Sequence, residues 1–220
     1  QCHNHPFDRW TQGDYYDWAS AFAKIDYKLL KNIRKDGLDK HEFNGEQVVY
    51  MKTSGSVKNP KTGKAALARF LSAGRPVAKG DDPLREMAKW MTAPDNPFFA
   101  RAQANRIWFH LMGRGLVNPI DDFRPTNPAT HPVLLDLLAT EFIASGYDLR
   151  HMIRLITSSA TYQLASEPNA TNAGDEINYS HAIPRRLSAE QLLDTQAQVA
   201  DAPLPIRDHP PGTRVVQVAN

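Results

Sequence analysis

A single cysteine, Cys2, among 220 residues excludes any intrachain disulfide framework, so packing, hydrogen bonds and charge must hold this chain together. No run of 18 or more apolar residues occurs, which leaves the segment without a membrane span. The phosphate loop, the Gly-x-Ser-x-Gly elbow, the His-Glu-x-x-His zinc motif and the dinucleotide-binding glycine fingerprint are all missing. Aromatic and basic residues do not interleave as they do on a nucleic-acid surface, so no nucleic-acid partner is expected. Neither an initiator methionine nor a signal-like apolar stretch opens the sequence. At the other end, in TRVVQVAN, Val216 and Val218 alternate as in an unfinished strand. Both ends read as cuts within a longer protein.

What is present is ordinary globular material: 41% hydrophobic and 23% charged residues, enough to exclude wholesale disorder. Sixteen prolines punctuate it. The net charge is only +2 but unevenly laid out. Residues 24–80 carry 13 Lys/Arg against 5 Asp/Glu, and the remainder carries 13 against 19. Such a layout suits an acidic partner, an anionic polymer or a glycan, or simply a solvated lysine-rich insertion.

Helix signals are strongest in the second half. Thr11 with Asp14 opens a first helix with Tyr15, Trp18, Ala19 and Phe22 on one stripe. From Lys24 to Gly80 the periodicity is lost; EQVVYMK reads as a short strand and ALARFL as a strand or one helical turn. Asp82-Pro83 and Asn96-Pro97 then start two helices, the second running to Gly113. A third ends on Gly146, a fourth follows Asp148 with Leu149, Met152, Ile153 and Ile156 inward, and a fifth opens on the Ser188/Gln191 box. The expected fold class is mainly α: a helical domain of about five helices with a small irregular β-containing connector. The residues themselves give a first helical part, a basic excursion and a second helical part.

Two places carry chemistry. At the start, Cys2-His3 matches the second half of a c-type haem attachment, in which the cysteine forms a thioether and the histidine binds the iron. With His5 the same residues offer three metal ligands, one short of a usual structural zinc site. An unmetallated loop is the third alternative. Further on, Gln103, Arg106 and His110 fall within about a 60° sector of one helix, opposite Arg101 and Asn105. The loop that follows carries Asp121, Asp122, Arg124 and His131 between Pro119, Pro125, Pro128 and Pro132. The functional reading is a polar pocket: His110 or His131 as acid/base, Asp121 or Asp122 orienting it, Arg106 or Arg124 holding an anion. The structural alternative is that Arg106 and Arg124 pair with Asp121 and Asp122 to tie loop to helix. Arg185 and Arg186 read as the exposed approach to the helix at Ser188.

The stretches QCHNHPFDRWTQGDYY, DNPFFARAQANRIWFHLMGRGLVNPIDDFRPTNPATHP and IPRRLSAEQLLD resemble large planctomycete proteins with two linked domains of unknown function, numbers fifteen-forty-nine and fifteen-fifty-three. In that family Cys-x-x-Cys-His-x-His-Pro-Phe stands where Cys2, His3, His5, Pro6 and Phe7 stand here. The resemblance implies a division into 1–25 as the tail of one domain, 26–81 as a basic connector and 82–220 as the first part of a helical domain. It also implies export past the cytoplasmic membrane, haem c or another metal at Cys2 and His3, and a cytochrome c domain in the same or a neighbouring chain. The leading expectation is therefore an exported redox-associated protein. A carbohydrate-binding or scaffold module without redox chemistry, and a hydrolase or lyase acting on exported glycans, are the competing ones.

Overall fold

The computed structural model describes residues 3–6, 8–33, 45–71, 74–78, 80–96, 98–207 and 209–218. It begins with helix α1 (Gln12–Ser20), opened by a complete Thr11/Asp14 capping box. Strands β1 (Ile25–Asn32) and β2 (Gly45–Met51) follow as an antiparallel pair, from Ile25 opposite Met51 to Asn32 opposite Gly45, with an irregularity between Leu29 and Lys31. Then come α2 (Pro83–Met91), α3 (Phe99–Met112), α4 (Pro132–Ala144), α5 (Leu149–Thr157) and α6 (Ala189–Val199), and a 3₁₀ turn at Val215–Gln217.

The mainly α expectation is corrected. Among the described residues six helices and a two-stranded antiparallel sheet make the fold mixed, 34% helical and 10% strand. Strand β1 lies inside the stretch judged aperiodic. A hairpin open on both sides buries little, so its residues need no apolar alternation, and cross-strand backbone bonds carry it. The ALARFL segment is neither strand nor helix; it makes a single bridge, Arg69 to Pro76. The expected strand at Val216 and Val218 is instead the 3₁₀ turn, because the Asp194 carboxylate accepts the N–H groups of Val215 and Val216 and winds the chain there.

Helix starts follow the capping residues. Asp82 accepts from Leu84 N–H, Asp148 from Arg150 and His151 N–H, and Ser188 and Gln191 close a capping box. Asn96 Oδ1 accepts from both Phe98 and Phe99 N–H at the start of α3; Pro97 lies outside the described residues. No helix among the described residues is long and apolar enough to cross a membrane.

Two cores result. The larger gathers Ala104 and Trp108 of α3, Leu135, Leu138 and Phe142 of α4, Met152 and Ile156 of α5, and Leu116, Val117 and Tyr179 from loops. Leu116, Leu135, Met152 and Ile156 are essentially inaccessible, and each contributes about 1.5–3 kcal/mol. Of the four inward residues expected on α5, Leu149 and Ile153 are 54% and 45% exposed, since its nine residues offer only a narrow stripe to α3 and α4. The smaller core joins Ala21, Phe70 and Met87, with Trp18 set edge-on to Trp90 at 5.9 Å. Tyr147 links the two, donating its O–H to the Thr92 carbonyl at 2.6 Å.

Candidate functional site

The loop between α3 and α4 is built around Asn105, which no water reaches. Its Oδ1 accepts from Val117 N–H at 3.0 Å; its Nδ2 donates to the carbonyls of Val117 at 2.9 Å and Ile120 at 3.0 Å. A polar group in so apolar a helix must find partners, and here they are loop backbone rather than loop side chains. Thr130 N–H donates to Leu116 O at 2.8 Å and closes the loop's far end. Asn127 Nδ2 donates to Asp122 O at 2.9 Å within it.

The six residues proposed for a polar pocket are distributed as follows. Arg106 Nη2 meets Asp121 Oδ1 at 2.7 Å, both side chains exposed. Arg124 grips Asp122 with Nε and Nη2, a two-pronged and less exposed pair. The Asp122 carboxylate, with Asp8 as a lesser neighbour, holds the Arg124 guanidinium above its ordinary value. His110 is exposed in the last turn of α3, its ring against Phe109. His131 stands at the N-cap of α4, with Nδ1 3.2 Å from Thr130 Oγ1 and its ring 5.9 Å from Tyr179. The structure thus brings the six together as two ion pairs and two separate imidazoles. Among the described residues neither His110 nor His131 bonds a carboxylate.

Arg185 is exposed on the approach to α6, as the sequence suggests, and it also serves α3. Its two terminal nitrogens donate to the carbonyls of His110 and Leu111 at 2.9 and 3.0 Å, capping the C-terminus of α3 beside Gly113. The negative end of a helix dipole is the natural seat for such a cation.

At the start of the chain, Cys2 and Phe7 lie outside the described residues, and with Cys2 the proposed haem and metal ligand set is only partly visible. Among the described residues no group of three or more His, Cys, Asp or Glu is placed to hold a metal. The rest of the segment folds back on itself: Asn4 Oδ1 accepts from Gln12 N–H at 2.8 Å, and His5 N–H donates to Trp10 O at 2.8 Å. His3 is exposed with Nδ1 2.6 Å from the Asn4 carbonyl. Trp10 packs on Phe98 at 6.2 Å, and the Arg9 guanidinium covers both rings at 4.9 and 5.8 Å. Pro6, Asp8, Arg9 and Trp10 on one side, and Phe98, Phe123, Pro125 and Thr126 on the other, line a cleft of about 600 Å³. The α3–α4 loop therefore gives this cleft Phe123 and Pro125, while its charged residues tie the loop down.

The aromatic residues of this cleft went unnoticed in the sequence; the Asn105 clamp could have been inferred from a lone amide opposite the Arg106 stripe. No curated protein and no solved structure matches the chain. The family model described as "Protein of unknown function (DUF1553)", PSD1, matches residues 85–214, more than half the chain, from α2 through α6 to the edge of the 3₁₀ turn. The chain belongs to that family.

Proposed function

We propose that this chain is part of an exported, redox-associated bacterial protein in which Cys2 and His3 belong to a haem or metal site and the family unit is the platform that site rests on. The observation that carries the reading is the His3 ring. A carbonyl only accepts, so in the neutral ring the contact of Nδ1 with Asn4 O puts the hydrogen on Nδ1 and leaves Nε2 with the lone pair. That is the arrangement of a ligating histidine, whose second nitrogen is fixed by a backbone acceptor. In this reading Cys2 and His3 would hold the group, and a haem bound there would supply one-electron transfer. Pro6, Asp8, Arg9 and Trp10 face the α3–α4 loop across an aromatic cleft, which supports a fixed rather than trailing position for His3.

The test is a pyridine haemochrome spectrum with metal analysis on the full-length exported protein. One haem or metal per chain, lost in His3→Ala, is expected; absence of both ends the redox reading.

A second reading, a carbohydrate-binding or scaffold module without redox chemistry, is favoured by the same cleft. Trp10 and Phe123 offer flat apolar walls and Asp8 and Arg9 a polar edge, the composition of a small-molecule groove. Binding of soluble glycan by protein free of haem and metal, abolished in Trp10→Ala, would establish it.

A further inference from the structure

Strand β2 leaves one side of its backbone unpaired. Lys52 N–H donates to Lys24 O at 2.8 Å, and the register continues with Asp26 opposite Tyr50 and Lys28 opposite Val48. Bonded and unbonded pairs alternate in an antiparallel ladder, so Gln47, Val49 and Met51 turn their N–H and C=O groups away from β1. Among the described residues none of these groups meets other backbone or a side chain. Val49 and Met51 are 66% and 54% exposed, so the edge is also uncovered.

The outer edge of β1 is blunted by comparison. Ile25 N–H donates to Phe22 O at 2.9 Å and Tyr27 N–H to Asp26 Oδ1 at 2.9 Å, and an irregularity between Leu29 and Lys31 breaks the line. Strand β2 carries no proline and no lysine of its own to guard it. An open apolar edge of this kind is a template for another strand.

The order of side chains along β2 selects that strand. With Val49 set antiparallel opposite Val49 of a second copy, Gln47 falls opposite Met51, Val48 opposite Tyr50 and Glu46 opposite Lys52. The outward residues then exchange six backbone bonds, a β-branched side chain lies beside each aromatic one, and each acid meets an amine. A slip of one residue sets outward groups against inward ones and loses the bonds. Lys52 Nζ lies 3.2 Å from Asp26 yet its side chain is 41% exposed, so it can take a second carboxylate. The lysine surplus elsewhere in 24–80 acts over distances that physiological salt screens beyond about 8 Å.

We propose that β2 pairs with β2 of a second copy of this chain, joining two hairpins into one four-stranded antiparallel sheet. Like edges meet about a two-fold axis, so assembly stops at two copies. The pairing uses none of the residues of the redox or cleft readings.

Sedimentation of the full-length protein over a range of concentrations, with amide exchange read at Val49 and Met51, tests this. A monomer–dimer equilibrium with Kd on the order of 10 μM is expected, in keeping with a small interface. Protection of both amides should rise with the dimer fraction. Val49→Pro removes an outward N–H and leaves the ladder to β1 whole; it should weaken association about tenfold or more. Glu46→Lys and Lys52→Glu should each weaken it about fivefold or more, and an equal mixture of the two, in which amine again meets acid, should recover it. A protein that stays monomeric at every concentration overturns the proposal, whether or not it binds an acidic peptide or vesicles of anionic phospholipid. So does self-association that leaves the Val49 amide unprotected, or that the charge variants and their mixture do not alter. The wild-type exchange measurement stands even if a variant does not fold.

Discussion

Asn105 and Val117 are paired as residues on neighbouring strands are, although one sits in the middle of a helix. The amide of Asn105 takes both the N–H and the C=O of Val117, at 3.0 and 2.9 Å, and reaches on to the Ile120 carbonyl. A side chain stands in for a backbone, and the α3–α4 loop is held to the helix.

Asn105→Leu keeps the volume and removes every one of those bonds, leaving two carbonyls and one N–H without partners beside a 2% exposed Val117. Each orphan costs about 1–3 kcal/mol, so the variant should lose roughly 3 kcal/mol or more. Asn105→Asp should fare no better, since it faces a carboxylate oxygen to carbonyl oxygens. Chemical denaturation measures both; a loss under about 1 kcal/mol would mean the clamp is dispensable.

Gly115 belongs to the same device. A Cβ there would stand 2.3 Å from Val117 O and 3.1 Å from the Asn105 amide atoms. Gly115→Ala must therefore push the loop off its clamp, at a cost of about 2 kcal/mol or more. Because both substitutions break one unit, the double variant should be less destabilised than the sum, by roughly 1 kcal/mol or more in a double-mutant cycle. Strict additivity would show the two to be unrelated.

How much of this was legible in the sequence depends on how local each signal is. Thr11/Asp14, Asp82, Asp148 and Ser188/Gln191 act on backbone within three residues, and all four open helices. Strand β1 has no such local mark, because its partner β2 lies beyond residues 34–44 and its faces stay wet. The ties Arg106–Asp121 and Arg124–Asp122 were readable as alternatives to a pocket, since a helix stripe and a nearby acidic loop allow either. Arg185 crosses about 75 positions to reach α3, a span no periodicity reports. The cleft of Trp10, Phe98 and Phe123 likewise joins three segments whose aromatics each look like ordinary core.

The two ion pairs should differ in weight. Arg106 and Asp121 are 45% and 65% exposed and meet through one contact, so Arg106→Ala should change stability by less than about 0.5 kcal/mol. Arg124→Ala breaks a two-pronged grip on a carboxylate only 24% exposed and should lower the melting temperature measurably more. His110→Ala, on the exposed face, should leave stability within about 0.5 kcal/mol. A hydrolase or lyase relying on His110 or His131 would lose turnover in His110→Ala or His131→Ala without losing its fold. Loss of stability alone would leave both as structural residues.

Acid should loosen the 175–183 loop below about pH 4. The Ser180 hydroxyl, followed by the Asn178 and Ile177 amides, holds the Asp175 carboxyl well below its ordinary 3.8. Asp148 is lowered likewise by the His151 and Arg150 amides. With the folded value below the unfolded one, the stabilisation is complete above pH 3.8 and fades as pH falls from there toward the folded value. The protection factors of the Ile177, Asn178 and Ser180 amides should therefore fall below about pH 4. Asp175→Asn should be less protected at neutral pH and lose most of that acid dependence. An unchanged acid profile in the variant would assign the effect to other carboxylates.

The docking of residues 8–10 rests on Trp10. Its contact with Phe98 and the Arg9 guanidinium above both rings are the aromatic links between the segment and α3. An aromatic pair and a half-exposed cation–π contact together amount to about 1.5 kcal/mol, or roughly a tenfold change in the fraction of time the segment is released. Trp10→Ala should accordingly raise exchange of the His5 and Gln12 amides, which donate to Trp10 O and Asn4 Oδ1, by about tenfold. The Val117 amide, held by Asn105 on the far side of the loop, should exchange as before. Equal acceleration at Val117 would show that the substitution had loosened the whole unit rather than undocked the motif. No acceleration at His5 would show that the motif's position owes nothing to the aromatic cleft, and the support that cleft lends to a fixed haem or metal site would be withdrawn.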